Sequence, residues 1–139
     1  MVRPGNVTRR SPARGVPLES AYTQVIVSEG SLRTVYVSGQ NALDDRGRLV
    51  GKGDFRAQLE QVYRNLQQAL EAADAGIEHA VKWKLYLLEG QTFGPGFVEF
   101  SRGWGMHPPA TTILFVAALA HQDYLVEMDA IAVVPLDPA

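Results

Sequence analysis

The chain contains no cysteine. Disulfides, thiolate metal sites and cysteine nucleophiles are therefore excluded, and the composition suits a reducing compartment, so a cytoplasmic location is expected. Neither sign of charge is in excess: 13 Lys and Arg stand against 15 Asp and Glu, a formal charge of −2. That balance speaks against a dedicated nucleic-acid or membrane-surface protein. No apolar run approaches the roughly 20 residues of a membrane-spanning helix. Histidine is scarce, and His79, His107 and His121 lack ligand spacing, so no metal is expected. No Ser-His-Asp arrangement is visible, and "GKG" at 51–53 lacks the spacing and the following Ser or Thr of a phosphate loop.

What is present is enough for a core. Hydrophobic residues make up 46% of 139 residues and charged residues 20%, the profile of one globular domain. Residues 1–17 stand apart, with Arg3, Arg9, Arg10 and Arg14, three prolines and no acidic residue. Arg9-Arg10 is not followed by an apolar segment, so an export signal is not expected. The expectation is a mobile basic arm over 1–17 and a single domain over 18–139.

Alternation predicts strands at 22–27 and 34–40, joined through Ser28-Glu29-Gly30 as a hairpin, and a short strand at 48–50. Phe55, Leu59, Val62, Leu66, Ala69, Leu70 and Ala73 recur at helical spacing, predicting a helix over 54–75 with Asp54 at its start and Gly76 at its end. "AVKWKLYLL" at 80–88 alternates as a strand, with Trp83, Leu85 and Leu87 on one side and Lys82, Lys84 and Tyr86 on the other. Phe97, Phe100 and Trp104 suggest a second helix over 96–105, and strands follow at 111–118 and 125–134. The order is that of an α+β fold: a mixed sheet with two helices on one face. In "TTILFVAA" and "LVEMDAIAVV" both alternating sets are largely apolar, so both sheet faces call for burial. Two helices cover one face; the other is expected to pack on further copies in a closed cyclic oligomer.

"YVSGQNALDDRGRLVG" (36–51), "QLEQVYRNLQQALEAADA" (58–75), "VKWKLYL" (81–87), "HPPATT" (107–112) and "LVEMDAIAVV" (125–134) together resemble the RidA/YjgF family, long described as endoribonuclease L-PSP proteins. The resemblance implies a chorismate-mutase-like α+β fold assembled as a homotrimer, with small-molecule pockets between subunits. It also implies hydrolysis of reactive enamines and imines without metal or cofactor. By the same resemblance Tyr22 and Ser38 line the pocket, and Glu127 positions or activates water. The family's carboxylate-binding arginine falls on Thr111, which offers one hydroxyl and no charge. Activity on amino-acid-derived imines is therefore expected to be weakened, and a neutral or differently charged ligand is favoured. Arg102 and His107 are the nearby candidates for a substitute, although surface or capping roles suit them better. Two other functions are compatible with the same sequence. A non-catalytic metabolite-binding or sensing trimer would use the same pocket. A ribonuclease or translation inhibitor finds support only in the basic arm.

Overall fold

The computed structural model describes residues 2–10, 22–93 and 108–137. Its main sheet is built from β3 (Leu32–Gln40), β4 (Ala80–Leu88), β5 (Ala110–Val116) and β6 (Val126–Pro135) in the order β3-β6-β4-β5. β6 runs antiparallel to both neighbours, placing Tyr36 opposite Ile131 and Tyr86 opposite Glu127. β4 and β5 are parallel, with Trp83 opposite Thr111.

Strand alternation decides which side is the core. Trp83, Leu85 and Leu87 of β4 and Val126, Met128, Ala130 and Ala132 of β6 are buried against the stripe Leu59, Val62, Leu66 and Leu70 of α1 (Phe55–Glu71). Each such large side chain contributes about 1.5–3 kcal/mol on burial. The intervening residues Glu127, Asp129 and Ile131 fall on the opposite face by the two-residue period. On that outer face and the β5 edge, Tyr36 is 78%, Leu114 45% and Phe115 54% exposed.

The start of α1 follows the sequence: the Asp54 carboxylate accepts from the Ala57 backbone N–H at 3.1 Å. Its end does not. The helix stops at Glu71, Asp74 takes a left-handed φ of 51°, and Gly76 opens a 3-10 turn at Ile77–His79. The Arg33 guanidinium from β3 donates to the free carbonyls of Ala73 and Asp74, so a cation closes the helix end.

The expected hairpin is replaced by a different pairing. β2 (Val25–Glu29) pairs antiparallel with β1 (Asn6–Arg10), from within the basic N-terminal segment, while β3 pairs with β6. Val7 and Thr8 give that segment strand character that its arginines obscure. The expected strand at 48–50 reduces to a single bridge between Leu43 and Leu49. Only β4 matches its predicted bounds; the predicted second helix at 96–105 lies outside the described residues.

One buried polar side chain ties the helix to β6. The Gln58 amide donates to the carbonyls of Gly51 and Asp123, at 3.0 and 2.9 Å, and accepts from the Leu125 N–H at 2.9 Å. All its bonding capacity on that side is met, which is what allows a 0% exposed glutamine in the core. It fixes the residue from which β6 departs toward Glu127.

Candidate functional site

The outer face of β6 carries two carboxylates in an otherwise apolar strand. Glu127 is half-buried, and Asn41 Nδ2 donates to its Oε1 at 3.3 Å. Asn41 is itself held from the helix: Asn65 Nδ2 donates to the Asn41 and Leu43 carbonyls at 2.8 and 2.9 Å. Tyr86, across from Glu127 on β4, donates its hydroxyl to Asp129 Oδ2 at 2.9 Å.

Space for the Glu127 side chain comes from Gly39, which lies in a bulge of β3. Val37 pairs with Ala130 and Gln40 with Met128, so Ser38 and Gly39 together face one residue of β6. A Cβ on Gly39 would lie 2.8 Å from both Cδ and Oε1 of Glu127. Glycine therefore lets the carboxyl lie against the β3 backbone. Ser38 is exposed beside it in the same bulge.

Burial is the main cause, and the Asp129 charge the second, of a Glu127 proton affinity above the usual carboxylate range. Tyr86 is likewise pushed up, by burial first and then by its hydrogen bond to Asp129 and the nearby acidic charge. A half-buried carboxyl with raised proton affinity, beside hydrogen-bonding groups, is suited to giving and taking protons.

A second feature lies at the start of β5. A cavity of about 320 Å³ is lined by Tyr22, Thr23, Gln24, Lys82, Ala110 and Thr111. Thr23 fixes its wall, donating its N–H to the Pro109 carbonyl at 3.2 Å and its hydroxyl to the Pro108 carbonyl. The Thr111 hydroxyl donates to the Pro109 carbonyl at 3.1 Å. Lys82 Nζ donates to Thr112 Oγ1 at 2.7 Å, and among the described residues no carboxylate pairs with it.

One chain thus groups the anticipated residues in two halves. Tyr22 and Thr111 share the cavity; the Glu127 carboxyl lies against Gly39, next to Ser38 in the β3 bulge that faces Asp129. Thr111 pairs with Trp83 and Glu127 with Tyr86, with β4 between them, so along the strand they are separated by roughly 10 Å. No local sequence signal marks Asn41, Gly39, Tyr86 or Lys82 as site residues. Alternation in 80–88 does put Lys82 and Tyr86 on the outer face, but not beside Thr112 or Asp129. Arg102 and His107 lie outside the described residues. His79 and His121 serve their own turns, each accepting a backbone N–H at Nδ1, from Gly76 at 2.9 Å and Asp123 at 3.1 Å. No cluster of metal-ligating side chains occurs among the described residues, and no helix there is long and apolar enough to cross a membrane.

A mixed sheet backed by a long helix, with a carboxyl seated against a glycine of a neighbouring strand, defines an α+β protein with a candidate acid–base site. It is similar to the crystal structure of YyfB, a protein of unknown function of the conserved Rid family from Yersinia pestis: TM-score 0.82, 26% identity, covering 93% of this chain and 99% of that one. The family model Endoribonuclease L-PSP matches residues 15–134, and the chain belongs to that family, the RidA/YjgF family. The RutC family protein UK114 of Drosophila melanogaster is 32% identical over 122 residues, covering 88% of this chain and 86% of the fly protein. A rat protein named 2-iminobutanoate/2-iminopropanoate deaminase is 30% identical over 113 residues, covering 81% of this chain and 80% of its own length.

Proposed function

We propose that the chain is a cofactor-free hydrolase of small imine or enamine metabolites, working at a pocket completed between copies, with Glu127 as the acid–base group acting through water. The observation that carries this reading is the seat of Glu127: a half-buried carboxyl of raised proton affinity, oriented by Asn41 and admitted by Gly39. Water adds to the carbon of C=N while its proton passes to Glu127. That proton is delivered to the nitrogen, giving a carbinolamine; the carbinolamine hydroxyl then gives up a second proton to the amine through Glu127 as the C–N bond breaks, leaving ammonia and a carbonyl product. The name of the rat relative supports this reaction class.

The two half-sites favour assembly. A second copy that brought its β5 cavity, with Tyr22 and Thr111, against Glu127 and the Ser38–Gly39 bulge would make one site from two chains. The exposed Tyr36, Leu114 and Phe115 supply apolar surface for such a contact, and the family resemblance favours a closed trimer.

Thr111 limits the substrate. A bidentate arginine makes two charged hydrogen bonds of about 1.5–3 kcal/mol each, and a single neutral hydroxyl, already donating to the Pro109 carbonyl, replaces neither. Slower turnover of 2-iminopropanoate than by an arginine-bearing relative follows. The same absence favours a second reading, a trimer that binds or senses a metabolite without converting it. Ammonia release from freshly generated 2-iminopropanoate, with wild type and Glu127→Gln, separates the two. Glu127-dependent release supports the hydrolase, and saturable binding without release supports the sensor.

A further inference from the structure

The position expected to hold an anion carries Thr111, yet the cavity it lines is not without a cation. Lys82 comes from the neighbouring strand, and its residue pairs with Ala110 at the mouth of β5. Its ammonium is held by the Thr112 hydroxyl at 2.7 Å, which uses one of three donors. No described carboxylate neutralises it, and across β6 its neighbour is the apolar Ile131. A lysine on a strand in a concave site, steadied by a threonine and paired with no carboxylate among the described residues of its own chain, is a point-charge receptor for an anion.

We infer that Lys82, held by Thr112, is the anion-recognition residue of this cavity and selects small carboxylate ligands over their neutral counterparts. The inference deepens the proposed function, on which its choice of ligand class rests, and replaces the expectation of a neutral ligand. Lysine recognises charge without the planar fork of arginine. The preference for acids survives, while the fixed orientation that a bidentate clamp provides is reduced. Thr111 and Lys82 thus divide what one arginine would supply: Thr111 leaves room at the wall, and Lys82 brings the charge from β4.

The test uses the full chain, with 2-oxobutanoate as the anionic probe and 2-oxobutanamide as its neutral isostere, titrated by calorimetry. Wild type is expected to bind the acid more tightly than the amide. Lys82→Met should weaken the acid about tenfold to hundredfold, the range of one charge-assisted hydrogen bond, and leave the amide unchanged. Lys82→Arg should restore most of the acid affinity, and this rescue separates charge recognition from misfolding. Acid affinity that is undetectable in wild type, or unaltered in Lys82→Met, overturns the inference. Glu127→Gln keeps the two proposals distinguishable. Lys82-dependent binding with no ammonia release by wild type refutes the hydrolase alone. Glu127-dependent release with Lys82-independent binding refutes the lysine's role alone.

Discussion

Gly39 and Glu127 are in contact that no other residue at position 39 permits: a Cβ there would lie 2.8 Å from the Glu127 carboxyl carbon. The neighbour that would have to yield is the end of a flexible side chain, not backbone. Gly39→Ala is therefore expected to move the carboxyl rather than unfold the protein. Turnover of an imine substrate should fall at least about tenfold, while stability changes by less than about 1 kcal/mol. Steady-state kinetics and a denaturant titration on the same sample check both halves.

Asn65 acts on the site from the helix. Its amide nitrogen holds the Asn41 and Leu43 carbonyls, and Asn41 in turn reaches Glu127. Asn65→Asp keeps the shape but removes the donors and sets a carboxylate against two carbonyl oxygens. Destabilisation of about 1–3 kcal/mol and a lower kcat are expected. Thermal denaturation and kinetics would show whether the loop after β3 positions the acid–base group.

The raised proton affinity of Glu127 has a definite sign in stability. The folded state holds this proton to higher pH than the unfolded state, so ionising Glu127 costs stability as pH rises from the ordinary carboxylate value through its folded value. Glu127→Gln removes that cost and keeps an oxygen to accept from Asn41. The variant should match or exceed the wild-type Tm at neutral pH, and the difference should vanish in acid, below the unfolded carboxylate pKa. Asp129→Asn removes the second cause of the shift, so the acid limb of the activity profile should move to lower pH.

Gln58 should be intolerant of apolar replacement. Gln58→Leu is close in volume but leaves the Leu125 N–H and the Gly51 and Asp123 carbonyls without their partner. A loss of at least about 2 kcal/mol is expected by chemical denaturation.

Much of the fold was legible because periodicity reports burial. The stripe of α1 and the alternation of β4 are local signals, and both elements formed where those signals lay. Partnership between strands is not local. β2 pairs with an arginine-rich segment and the β3 bulge depends on β6, neither of which a window on the chain can show. For the same reason Glu127 is reached from the sequence through the family resemblance, while Gly39, Asn41 and Lys82 are not: their importance comes from what the sheet sets beside them.

The most direct measurement is the rate of ammonia release from 2-iminopropanoate generated in situ from alanine by an amino-acid oxidase. Metal-free wild type should accelerate hydrolysis over buffer, at a rate below that of an arginine-bearing relative, and Glu127→Gln should fall to the buffer rate. Hydrolysis no faster than buffer with wild type, or an undiminished rate with Glu127→Gln, would contradict the assignment of Glu127 as the acid–base group of an imine hydrolase.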